Sequence, residues 1–79
     1  MTTPTPKLSA DEIALTDREQ EVLIGVARGE RSKEIAARLG ITERTVKAHL
    51  ASIYNKFGVD SRAAAIAIAS QRGLLPKYL

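Results

Sequence analysis

Gly40-Ile41-Thr42-Glu43-Arg44-Thr45-Val46-Lys47-Ala48-His49-Leu50-Ala51-Ser52-Ile53-Tyr54-Asn55-Lys56-Phe57-Gly58 is the stretch that decides the architecture. It reads as a turn over 40–42 followed by a helix over 43–57. Val46, Leu50, Ile53 and Phe57 recur at helical spacing and form an apolar stripe that must face a core. Opposite that stripe lie Arg44, Ala48, Ala51 and Asn55, with Lys47 and Ser52 on the flanks. This outer face mixes cations, small residues and one amide, and the spacing puts no acid on it.

Upstream, Ser32 is placed to cap a short helix over 32–39 whose Ile35, Ala36 and Leu39 face inward, and Gly40 ends it. Only Ile41 and Thr42 then separate it from the next helix, with Thr42 as the expected cap. Helices joined by so short a Gly-containing turn cannot lie antiparallel along their full length. They cross steeply, as in a helix-turn-helix, although a structural three-helix bundle with a tight corner would give the same spacing.

Earlier still, Thr16-Asp17-Arg18-Glu19 is a capping box that opens a helix over 16–28. Val22, Leu23, Val26 and Ala27 supply its buried stripe, and Gly29 stops it. Gly25 inside this helix costs up to ~1 kcal/mol relative to alanine, and close approach of a neighbouring helix is the expected compensation. Residues 1–14, with early Thr and Pro, read as a flexible linker or tail with at most one helical turn at Ser9–Ala14. Residues 15–79 then form one domain.

Downstream, Ser61 caps a fourth helix over 62–72, closed by Gly73. Its Ala63-Ala64-Ala65-Ile66-Ala67-Ile68-Ala69 run is apolar nearly all round. If Ala65, Ile66 and Ala69 meet the core, then Ala63, Ala64, Ala67 and part of Ile68 are left outside. Those four form a small-residue surface on which a second copy of the helix can pack. Alanine is also the strongest helix former, so a plain surface helix is the alternative. The expected class is all-α, with four helices.

The chain has 79 residues, 44% of them hydrophobic and 27% charged, which suits one small globular domain. It contains no cysteine, which excludes a disulfide framework or thiolate metal site. No apolar run approaches the ~20 residues of a membrane span, and the N-terminus lacks signal-peptide order, so a cytoplasmic protein is expected. The net charge of +3 is uneven: residues 1–27 carry a balance of −3, residues 28–56 one of +4, and the remainder +2. Positive charge therefore gathers on the middle and end of the chain, where a polyanion can meet it, and the outer face of helix 43–57 is one that can lie in a groove of DNA. His49 has no second histidine, cysteine or converging carboxylate at usable spacing. No catalytic residue, metal site or cofactor is expected, and the chain does not read as an enzyme.

Several segments agree in order and spacing with one family. Leu15-Thr16-Asp17-Arg18-Glu19-Gln20-Glu21-Val22-Leu23, Lys33-Glu34-Ile35-Ala36, Thr45-Val46-Lys47-Ala48-His49-Leu50, Ile53-Tyr54-Asn55-Lys56-Phe57-Gly58-Val59 and Ser61-Arg62 with Ala65 closely resemble the LuxR-type DNA-binding domain. That domain is also the output module of NarL/FixJ-class bacterial response regulators. The match covers about residues 15–75. The resemblance implies a four-helix helix-turn-helix fold with helix three in the major groove of double-stranded DNA, helix two bracing it across the backbone, and helix four pairing two copies on DNA. Carried over by position, Arg44, Lys47, Ala48 and Ala51 would contact bases. Arg31, Lys33, Thr45, His49, Ser52 and Lys56 would contact the backbone, and Ala63, Ala64, Ala67 and Ile68 would form the homodimer interface. RNA polymerase is a candidate partner of such a regulator; no membrane and no small-molecule ligand is expected for this chain.

Two departures stand out. The family often has serine where this chain has Arg31 and asparagine where it has Ser32, which displaces the usual cap and frees Arg31 for phosphate. Some members carry a long polar or basic residue at the position of Ala51, where alanine can only pack, for example against a thymine methyl. The rival from another class is a protein-interaction module that uses the alanine-rich helix without DNA. With its Thr/Pro-containing start, the chain reads as the output domain of a longer regulator rather than a stand-alone one.

Overall fold

The computed structural model describes residues 13–79, so the expected linker or tail over residues 1–14 lies almost entirely outside the described residues. Four helices follow in order: α1 (Asp17–Ala27), α2 (Ser32–Leu39), α3 (Glu43–Phe57) and α4 (Arg62–Gln71). They match the expected elements, with Thr16, Arg28 and Arg72 serving as caps rather than helical residues.

The start signals work through hydrogen bonds. Thr16 Oγ1 accepts from the Glu19 amide at 3.1 Å, and Glu19 Oε1 accepts from the Thr16 amide at 3.0 Å, which completes the capping box of α1. Thr42 Oγ1 accepts from the Thr45 amide, and Ser61 Oγ from the Ala64 amide, each at 3.1 Å. The expectation for Ser32 needs correction. The cap of α2 is Arg31, with Ser32 as the first helical residue. Arginine has no acceptor to offer, so the helix start is secured instead by Glu34 Oε1, which accepts from the Arg31 amide at 2.7 Å.

Between α2 and α3 the chain turns at Gly40, whose φ of 69° lies in the left-handed region that a side chain disfavours. The Ile41 amide donates back to the Ala36 carbonyl at 3.1 Å, closing the end of α2 in two residues. This turn fixes the crossing of the two helices.

Around α3 the other three helices pack. Its Val46, Leu50, Ile53 and Phe57 join Val22, Leu23 and Val26 of α1, Ile35 and Ala36 of α2, and Ala65 and Ala69 of α4 in one core. Full burial of a valine, leucine or isoleucine is worth about 1.5–3 kcal/mol, so this contiguous cluster is what makes a domain of this size stable. Gly25 is explained as expected: a Cβ there would stand 2.8 Å from Ile35 Cγ1 and from the Glu30 and Arg38 side chains. Beyond α4, Gln20 Nε2 donates to the Leu74 carbonyl at 2.6 Å and holds the C-terminal segment against α1.

Candidate nucleic-acid interface

With its apolar stripe committed to the core, α3 must turn its opposite face outward. Arg44, Lys47, Ala48, Ala51 and Asn55 are all exposed, in register along the helix, so the four candidate base-contacting side chains share one surface. At the entrance to that surface the Thr42 and Thr45 hydroxyls lie 2.8 Å apart, which fixes the exposed Thr45 beside the cap. Arg31 and Lys33 are exposed at the start of α2. Among the described residues neither of them, nor Arg44, has a carboxylate within ion-pair distance.

The face is not free of acid as the spacing suggested. Glu43 Oε2 lies 3.5 Å from Lys47 Nζ, one turn along the same helix. This is the favourable order of charges for a helical pair, the acid being nearer the N-terminus.

Toward the other end of α3 the expected backbone contacts divide. His49 is half-buried beside the apolar stripe. Ser52 and Lys56 are turned to Glu19 instead of outward. Ser52 Oγ donates to Glu19 Oε2 at 2.5 Å, and Lys56 Nζ donates to Glu19 Oε1 at 2.6 Å and to the Ala14 carbonyl at 2.9 Å. The sequence expectation has both facing phosphates, but in the structure their donors are engaged inside the domain. Glu19 itself is buried, at 5% exposure. Burial pushes its carboxyl pKa up, but hydrogen bonds from Lys56, Ser52 and the Thr16 amide outweigh that effect and hold it down at about 2.

In the sequence Glu19 reads only as a cap. The missed signal is its place three residues before Val22 and four before Leu23, which puts an acid on the buried stripe of α1 and requires a partner. A second internal tie was also not foreseen: Arg62 Nη1 donates to the Glu30 carbonyl at 2.7 Å, fastening the start of α4 to the α1–α2 connection. On α4 the division follows expectation for Ala63, Ala65, Ala67 and Ala69, whereas Ala64 and Ile66 both lie between core and surface. Ala65 and Ala69 are buried, Ala63 and Ala67 exposed, and Ala64, Ile66 and Ile68 half-buried. The four residues expected at a dimer interface thus retain exposed surface on one helix. Among the described residues no group of side chains is arranged to hold a metal ion, and no helix is long and apolar enough to cross a membrane.

Comparison with known proteins places these features in a family. Residues 13–69 match the family described as bacterial regulatory proteins, luxR family. The transcriptional regulatory protein YdfI of Bacillus subtilis (strain 168) is 51% identical over 69 residues, covering 87% of this chain and 32% of YdfI. Among solved structures, that of the transcription factor GerE superposes with a TM-score of 0.75 at 35% identity, covering 78% of this chain and 92% of GerE. The response regulator ChrA of a heme-sensing two-component system superposes with a TM-score of 0.75 at 49% identity, covering 77% of this chain and 30% of ChrA. The chain spans about a third or less of the length of the curated relatives it matches.

Proposed function

The chain belongs to the luxR family of bacterial regulatory proteins, and on that premise we propose that it binds double-stranded DNA sequence-specifically as the output domain of a transcriptional regulator. The observation that carries the proposal is the exposed strip of α3, where Arg44, Lys47, Ala48 and Ala51 lie on one side of a helix whose other side is locked in the core. An α-helix of this kind fits the major groove, and the two small alanines let its backbone approach the base edges. Lys47 and Arg44 supply donors for guanine O6 and N7, the commonest specific contact. Arg31 and Lys33, at the start of α2 and without an ion pair among the described residues, meet phosphates and fix the register without reading sequence.

Affinity in this reading comes largely from counterion release. Binding falls with salt by a log–log slope near −0.9 per phosphate neutralised. Pairing of two copies through Ala63, Ala64, Ala67 and Ile68 sets two half-sites about one helical turn, ~10 base pairs, apart. The likeness to ChrA, a response regulator about three times as long, supports the reading as the output domain of a response regulator.

Titration of a labelled random-sequence duplex at several salt concentrations tests the proposal. Binding at low salt with the steep salt dependence above is expected. Absence of binding at low salt contradicts it and favours a protein-interaction role for α4.

A further inference from the structure

The chain enters the domain along a segment that is tied to two helices at once. Ile13 and Leu15 both pack against the core. On either side of Leu15 the backbone is held by polar bonds: the Ala14 carbonyl accepts from Lys56 Nζ at 2.9 Å, and the Thr16 amide donates to Glu19 Oε1 at 3.0 Å. Lys56 Nζ donates to that same Glu19 oxygen at 2.6 Å. The entry segment thus shares the ion pair that joins the first turn of α1 to the last turn of α3. Capping α1 requires Thr16 alone; the bond from Ala14 to α3, 42 residues on, is an addition.

These ties depend on one another. Glu19 is buried, and a buried carboxylate is tolerated only while its donors are in place. Lifting the segment takes the Thr16 amide from Glu19 and the Ala14 carbonyl from Lys56 together. We propose that Ile13–Thr16 is a coupling strap: seated, it braces the last turn of α3; drawn off, it loosens that turn and weakens duplex binding. The effect on duplex binding rests on the reading that α3 enters the major groove. Any domain joined upstream is joined through this segment, so its position reaches α3 by direct contact. By reciprocity, a duplex that holds α3 in place also holds the strap down.

Amide hydrogen exchange followed by NMR on the 79-residue chain tests the coupling without DNA, comparing wild type with Leu15→Ala and the milder Ile13→Ala. Both weaken the seat of the strap and leave Glu19 and Lys56 in place. The amides to compare are those in the last turns of α2, α3 and α4, where exchange reports local opening. Expected is a loss of protection of about tenfold in the last turn of α3 for Leu15→Ala, smaller for Ile13→Ala, with the ends of α2 and α4 within about twofold of wild type. An unchanged α3 turn, or an equal loss at all three helix ends, overturns the proposal; if Leu15→Ala does not fold, Ile13→Ala decides by the same comparison. Affinity for a random-sequence duplex at low salt is then measured for the variants that circular dichroism shows to be folded. Expected is binding weaker by about fivefold or more for Leu15→Ala, or a smaller loss in the same direction for Ile13→Ala. Unchanged affinity beside a loosened α3 turn overturns the proposal while leaving groove binding intact. Failure of wild type to bind any duplex overturns both.

Discussion

Lys56 Nζ lies 2.6 Å from Glu19 Oε1, and this ion pair ties the last turn of α3 to the first turn of α1. The Glu19 side chain is 6% exposed and that of Lys56 28%, so the pair is shielded from bulk solvent far more than the other ion pairs of the domain. It orients α3 from the end opposite the one proposed to read bases.

Because the Glu19 pKa is lowered from 4.5 to about 2 on folding, its carboxylate stabilises the native state above the unfolded value, and that stabilisation is lost as pH falls through the folded one. A displacement of this size corresponds to roughly 3 kcal/mol. In urea denaturation, Glu19→Gln is expected to be less stable than wild type by about that amount at pH 6–7. The gap should shrink below pH 4.5 and be mostly gone near pH 2. A gap that does not change with pH would mean that the lost stability comes from packing, not charge.

Gly25→Ala should destabilise by about 1–2 kcal/mol, although alanine is favoured over glycine in a helix by ~1 kcal/mol. The new methyl would meet Ile35, which is fully buried and has nowhere to retreat, together with the Glu30–Arg38 pair. The midpoint of chemical denaturation measures this. A stabilised variant would show that α1 and α2 can separate without cost.

On α4, Ala67→Glu places a charge on the exposed face. A surface substitution of this kind leaves the fold within about 0.5 kcal/mol of wild type. Pairing on DNA should fail, so that sedimentation of the complex finds one chain per duplex where wild type gives two. Two chains with the variant would place the interface elsewhere.

The four helices were legible because their boundaries are written in local chemistry: Thr16, Thr42 and Ser61 as hydroxyl caps, glycines as stops, and apolar residues at helical spacing between them. The cap of α2 was less legible because the backbone amide of Arg31 is satisfied by Glu34, a side chain three residues on, and not by Ser32. The outward strip of α3 followed from the position of its buried stripe. The internal partners of Ser52 and Lys56 were not legible because Glu19 lies 33 and 37 residues away in sequence, and helical angle within α3 alone cannot show which side chain of another helix packs against its flank. The Glu43–Lys47 pair, by contrast, is a spacing of four that the sequence does display.

Lys47→Ala shows whether the exposed strip of α3 reads bases. Affinity is measured for wild type and variant on the duplex selected from a random pool and on its shuffled counterpart, at one fixed salt concentration. A base-reading Lys47 gives a loss worth about 1–3 kcal/mol on the selected duplex and a much smaller loss on the shuffled one. Equal losses on both would make Lys47 a phosphate anchor and not a base reader.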